Sequence, residues 1–273
     1  MGLMDSLLDT AKRARGAVSA RRVPGKVYFY AFRLLDKLGV EKVTIIDGKG
    51  LRVSGYTVQM WEYLIIKGKR EYDIVGEDFA PGMTVIDIGA NQGFFTIHAA
   101  SKGARVIAVE PSRTNLGLLK ENVEQNNLAD NVVCVNCAVS DKVGTATMFE
   151  PFNDRGRYLT TFVSIVERDP GDASLRKSEV PVTTLDELFA SNKIQVCDLL
   201  KMDCEGSEYA ILSSTTPETF SRIKNISFEF HDGRIDELKS WLDNAGFEVV
   251  SIRATSGTGN RIGLMKARKR AAN

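Results

Sequence analysis

Apolar residues fall along the chain in short blocks, and from about residue 80 onward the blocks alternate in kind. Val85, Ile86 and Ile88 form an apolar run around one acid, Asp87; the run reaches Gly89 and Gly93 inside a short turn, and a fresh apolar segment opens at Phe94. Residues 105–109 (RVIAV) make the next run and end on Glu110. This order reads as strand, glycine turn, helix, strand. Thr114 to Leu128 carries Leu116, Leu119 and Val123 on one helical face, and Val132 to Val139 reads as another strand, ending in Ser140-Asp141. Further on, residues 180–189 (VPVTTLDELF) pass from strand to short helix, 196–203 form a strand, 206–214 a helix and 225–232 (NISFEFHD) a strand. A helix over 234–245 turns Ile235, Leu238, Trp241 and Leu242 inward, and 247–253 and 261–266 supply two last strands. Alternation of this kind predicts an α/β fold, a parallel sheet with helices on both sides.

The chain before residue 80 is different. Leu3, Met4, Leu7, Leu8, Ala11 and Ala14 fall at helical spacing among basic residues, so residues 1–40 read as helical, broken at Pro24-Gly25. From Val43 the pattern turns to VTII, a turn at 47–50 and LRV, a hairpin signal. Residues 1–80 are therefore expected to form an N-terminal helical and hairpin cap, and 81–273 the main domain. Residues 144–180 interrupt that domain's rhythm: 145–150 (TATMFE) can be a strand, and the polar, irregular stretch that follows holds Arg155, Arg157, Tyr158 and Arg168, which can meet an anionic or sugar-like acceptor.

Composition narrows the setting. The 273 residues carry a net charge of +1, which gives no strong nucleic-acid signal. No apolar run reaches the length of a membrane span. Cys134 and Cys137 form a CxxC within a strand, where the odd offset sends the thiols to opposite faces, so reduced, buried cysteines in a cytoplasmic protein are expected. The basic amphipathic start, residues 1–26, can also lie on an anionic membrane surface, which would make the protein peripheral to the membrane. Oligomeric state is not written in the pattern.

The candidate chemistry centres on the first strand and turn. Glycines let a backbone approach a ligand, a helix start presents free N–H groups, and Glu110, seventeen residues after Gly93, can bind a ribose diol. These features indicate a nucleotide-type cofactor site. The spacing D-x-G-x-x-x-G lacks the three-glycine dinucleotide form, yet by itself leaves the cofactor open. A second group of acids, Asp203 and Glu205, stands at the end of a later strand. Glu229 and His231 share one face of the next strand, and a glutamate inside a covered strand is costly unless it has a partner or a task.

VIDIGANQG resembles the first motif of the class I S-adenosylmethionine methyltransferases. The motifs VIDIGANQGFF, VPVTTLDEL, KMDCEGSEYAIL and SFEFHD, in that order over about residues 70–250, are similar to the FkbM family of such enzymes. That resemblance implies a Rossmann-like, seven-stranded, mostly parallel sheet, with S-adenosylmethionine as cofactor. It implies that Gly89 and Gly93 make room for the methionine part, with Ala90 and Asn91 also at the cofactor, that Asp87 reaches its amino end directly or through water and that Glu110 holds the ribose. Ala138, Ser140 and Asp141 would stand beside the adenine, and Glu71 would be a further cofactor contact.

The implied reaction is O-methylation of a hydroxyl on a sugar, glycan or glycosylated small molecule. An alcohol is a poor nucleophile until its proton is drawn off, which calls for a base or a metal near the methyl. His231 is the expected base, with Asp203 and Glu205 orienting the hydroxyl or the imidazole, while His98 is expected to be packed. A divalent metal on Asp203, Glu229 and His231 is the less favoured alternative. Competing functions are an RNA methyltransferase that grips its substrate through the basic N-terminal segment, and a non-catalytic binding module of the same fold.

Overall fold

The computed structural model describes residues 18–19, 25–47, 49–69, 72–74, 78–152, 163–166, 174–255, 259 and 261–271. The first turns of the expected basic helix, Glu71, and Arg155, Arg157, Tyr158 and Arg168 all lie outside the described residues.

The N-terminal part is built around a hairpin. Strands β2 (Lys42–Ile46) and β3 (Arg52–Tyr56) pair antiparallel, as the VTII-turn-LRV pattern predicts. The Asp47 carboxylate shapes the turn by accepting the N–H groups of Lys49 and Leu51, and it accepts the Tyr63 hydroxyl as well. Val18–Ser19, expected within a helix, form strand β1 instead, because they pair with Ile45 and Ile46 along the hairpin's open edge. Helix α1 (Gly25–Lys37) precedes the hairpin and α2 (Met60–Lys69) follows it.

The main sheet begins with β4 (Thr84–Ile88), followed by α3 (Phe94–Ala100), β5 (Arg105–Val109), α4 (Arg113–Glu124) and β6 (Val132–Val135). The chain then leaves this sheet. β7 (Ala138–Val139), β8 (Gly144–Phe152) and β9 (Ser174–Thr183) make a separate three-stranded sheet in the order β7-β9-β8. The insertion over 144–180, expected to be irregular apart from one strand at its start, is thus flanked by two long antiparallel strands. It could not be read as such because the polar, exposed half of β9 lacks the apolar alternation that marks a strand. The main sheet resumes with α5 (Leu185–Ser191), β10 (Leu199–Met202), α6 (Glu208–Ser214), α7 (Pro217–Ser221), β11 (Asn225–Phe230), α8 (Ile235–Asn244), β12 (Phe247–Ala254) and β13 (Gly263–Lys269).

Its seven strands stand in the order β12-β13-β11-β10-β4-β5-β6. All neighbours are parallel except β13, which runs antiparallel to both β11 and β12. Alternation along β4 divides the core. Ile86 and Ile88 join Leu188, Phe189, Leu212, Leu238 and Leu242 on one face, and Val85 joins Phe95, Ile97 and Leu119 with the hairpin residues Ile45 and Val53 on the other. Each such side chain removed from water contributes about 1.5–3 kcal/mol. The hairpin is anchored to α4 by Asn122, whose amide accepts the Ser54 N–H at 2.7 Å and donates to the Ser54 carbonyl at 2.8 Å. Among the described residues no helix is long and apolar enough to cross a membrane.

Candidate active site

The order of strands reverses direction between β4 and β10, and a cavity of about 710 Å³ opens there at their carboxyl ends. Where β4 ends, the N–H groups of Gly89 and Ala90 both donate to the Val109 carbonyl at 3.0 Å, which folds the turn onto β5. Gly89 has φ 71°, and a Cβ there would overlap the Asp203 carbonyl of the neighbouring strand end. Gly93 has φ 83°, and a Cβ would come within 2.9 Å of the Leu119 side chain on α4. The glycines therefore answer to a left-handed backbone and to close protein packing, a reason distinct from room for a ligand.

Glu110 is held in the centre of this turn. Its carboxylate accepts the N–H of Asn91 and the N–H of Ser112, each at 2.8 Å, although the side chain is buried. Burial pushes its pKa up to about 7, against the lowering influence of those hydrogen bonds and of Lys201. Gly89, Asn91, Asn115, Glu110 and Ala138 line the cavity. The side-chain oxygens of Asn91 and Asn115 are buried without a hydrogen-bond partner among the described residues. A carboxylate beside two unanswered amides fits a ligand that brings several hydroxyl and amine donors, such as the ribose and amino acid parts of S-adenosylmethionine.

Other expected cofactor residues fall elsewhere. Asp87 is wholly buried, its carboxylate 3.0 Å from Lys201 Nζ and 2.6 Å from the Thr96 hydroxyl that donates to it, and it stands off the cavity wall. Ala90 and Gly93 are likewise absent from the wall. Ser140 and Asp141 lie outside it too. The strand expected over 132–139 breaks at Asn136, whose amide donates to the carbonyls of Glu110 and Pro111 at 2.9 Å. The break sends the following residues into the small sheet, so that Cys137, Ala138 and Val139 face the cavity and Ser140 bonds to Thr183.

The segment after β10 supplies a further part of the lining. Asp203 and Glu205 line the cavity, and His231 lies just behind them. His231 Nε2 is 3.5 Å from Glu205 Oε2 and 4.0 Å from Asp203 Oδ1, so the trio expected from sequence is brought together. Its Nδ1 is 3.1 Å from Oε1 of Glu208. Burial alone would lower the imidazole pKa, but Glu208, Glu205 and Asp203 outweigh it and raise the value to about 9. The carboxylates that crowd the ring thereby favour its protonated form.

Glu208 was not singled out by sequence, though it closes the D-x-E-G-x-E segment. It is fully buried, accepts the N–H groups of Cys204 and Gly206 at 3.0 and 2.9 Å, and so fixes the turn that carries Glu205 at φ 54°. Tyr72, from the segment before the first motif, donates its hydroxyl to Asp203 Oδ2 at 2.9 Å. A contact across 131 residues leaves no local sequence signal. Lys201 did leave one, a lone cation in the apolar strand CDLLKMD. Its ammonium meets Asp87 and the Gly89 carbonyl and lies 5.2 Å above the Tyr72 ring. Burial would lower its pKa, but Asp87 and Asp203 hold it above the ordinary lysine value.

Glu229 stands on the cavity wall but outside the cluster. Strand alternation relates it to His231 only while the strand lasts, and β11 ends at Phe230. Among the described residues, the group whose ligand atoms all lie within 4.8 Å of one another is Asp203, Glu205 and His231. His98 is packed as expected, edge-on to Phe79 and with Nε2 3.6 Å from Asp73. The cavity is further lined by Trp61 and Glu62 of α2, by Val163, Ser164 and Ile165 of the insertion, and by Arg253 and Thr255. Ser164 also ties the insertion to the acidic turn by donating its hydroxyl to the Glu205 carbonyl at 2.9 Å.

Residues 87–249 match the family model of the methyltransferase FkbM domain. The 31-O-demethyl-FK506 methyltransferase FkbM of Streptomyces tacrolimicus is 28% identical over 222 residues, covering 72% of this chain and 84% of that protein. Methyltransferase sdnD of Sordaria araneosa is 25% identical over 210 residues, 67% of this chain and 80% of that one. Among solved structures, M. jannaschii TYW2 in complex with AdoMet aligns over 84% of this chain and 87% of its own, at 16% identity and a TM-score of 0.44. The family match spans more than half of the 273 residues and includes the Glu110 turn, the Asp203 segment and His231. The chain belongs to the FkbM methyltransferase family.

Proposed function

We propose that the chain transfers a methyl group from S-adenosylmethionine to a hydroxyl of a sugar, glycan or glycosylated small molecule. The observation that carries this reading is a single cavity lined both by the Glu110 cradle and by Asp203 and Glu205. When bound, S-adenosylmethionine supplies a methyl carbon already activated by its sulfonium. Glu110 accepts hydrogen bonds from the ribose hydroxyls, and the unanswered amide oxygens of Asn91 and Asn115 take further donors.

The acidic wall addresses the acceptor. Asp203 and Glu205 accept the hydrogen bond of an incoming hydroxyl, and their fixed partners, Tyr72 and His231, hold them in place. As the C–O bond forms and the C–S bond breaks, the bonding pair passes to sulfur and the hydroxyl proton passes to a carboxylate oxygen. Two anions at this wall favour a neutral donor that must lose a proton. The relative from S. tacrolimicus, by its name a methyltransferase of 31-O-demethyl-FK506, supports an oxygen acceptor. Trp61 in the cavity lining offers an apolar face of the kind that packs on a sugar ring.

The test is a panel of glycosides, free sugars, amines and thiols incubated with radiolabelled S-adenosylmethionine. Label recovered in base-stable ethers of hydroxyl acceptors, and lost in Asp203→Asn, is expected. Label confined to amines or thiols would overturn the assignment to oxygen.

A further inference from the structure

We infer that Asp203, Glu205 and His231 hold a hard divalent cation, Mg²⁺ or Mn²⁺, at the wall of the cavity. The site itself is independent of the methyltransferase reading; only its use, placing an acceptor hydroxyl, rests on that reading. Each of the three residues offers one ligand atom, and these atoms all lie within 4.8 Å of one another. Two carboxylates and one imidazole suit a hard ion that prefers oxygen ligands.

The second observation concerns the ring. His231 is 8% exposed, and its Nδ1 is engaged by the fully buried Glu208 at 3.1 Å. Among the described residues its Nε2 makes no hydrogen bond, and it faces Glu205 and Asp203 at 3.5 and 4.0 Å. An imidazole anchored through one nitrogen by a buried carboxylate, with the other aimed between two carboxylates, has the outer-shell support typical of metal-binding histidines. Asp203 is supported in the same manner, since Tyr72 engages its Oδ2 and leaves Oδ1 toward the ring.

Charge agrees with geometry. Three carboxylates, from Asp203, Glu205 and Glu208, surround one imidazole, while the nearby Lys201 ammonium is turned to Asp87 and the Gly89 carbonyl. A divalent ion held by the three residues would stand on Nε2 of His231, between Asp203 and Glu205. Because Asp203 and Glu205 line the cavity, the ion would meet the oxygen of an acceptor hydroxyl there and acidify it, the proton still passing to a carboxylate oxygen.

Mn²⁺ alone tests this by electron paramagnetic resonance, with the full-length protein titrated into the free-ion signal. A single saturable ion per chain is expected, weakened by about tenfold or more in Glu205→Gln and Asp203→Asn and unchanged in Glu229→Gln. An undiminished free-ion signal with wild type, or equal binding by wild type and both cluster variants, would overturn the inference. S-Adenosylhomocysteine titrated into the same samples separates the two readings. Mn²⁺ binding without it would keep the cation site and overturn the cofactor site, whereas its binding without Mn²⁺ would overturn the cation site alone.

Discussion

Lys201 on β10 stands directly across from Asp87 on β4, their charged groups 3.0 Å apart and both side chains almost wholly out of water. The pair joins the first motif to the acidic segment, because Lys201 also bonds to the Gly89 carbonyl and neighbours Tyr72, the residue that holds Asp203. Lys201→Met leaves the Asp87 carboxylate buried without its counter-charge. A loss of about 3–5 kcal/mol in unfolding free energy is expected by denaturant titration. The double variant Asp87→Asn, Lys201→Met should recover part of it, since no lone charge then remains.

Glu110 makes stability depend on pH. Its folded pKa of about 7 lies above the ordinary 4.5, so its contribution is fully present below pH 4.5 and is lost as pH rises through about 7. The cost to wild type across that window is on the order of 3 kcal/mol. Glu110→Gln should lack it, so the difference in unfolding free energy between variant and wild type should grow from pH 4.5 to pH 8 and then level off.

Tyr72 is predicted to act through Asp203. In Tyr72→Phe the ring stays and only the 2.9 Å hydrogen bond is lost. Turnover should fall by about tenfold while the affinity for S-adenosylhomocysteine changes little. Equal losses in both would mean that Tyr72 belongs to the cofactor wall.

Two glycines should respond in opposite directions. Gly89→Ala forces a Cβ into the Asp203 carbonyl at φ 71° and should prevent folding or destabilise it severely. Gly117, on the exposed side of α4 with open space around it, should accept alanine with a gain of about 0.5–1 kcal/mol in thermal or chemical denaturation.

What sequence revealed follows from the range of the interactions involved. β4, its glycine turn and β5 were legible because each is local and each is written in a spacing, and the same holds for the strand ends that carry Asp203 and His231. The small sheet was not, since β7 leaves the main sheet through the Asn136 side chain bonding back to Glu110 and Pro111, a choice made by tertiary contact. The partner of Asp87 was not legible either, since it lies 114 positions away in Lys201 and becomes a neighbour only by strand register. Glu229 was linked to His231 by an alternation that ends one residue too soon.

The most direct measurement is a calorimetric titration of S-adenosylhomocysteine into wild type, Glu110→Ala and Asp203→Ala. The account predicts binding by wild type, its loss in Glu110→Ala and its retention in Asp203→Ala, because within one cavity it assigns Glu110 to the cofactor and Asp203 to the acceptor. Unimpaired binding by Glu110→Ala, or no binding by the wild type, would contradict it.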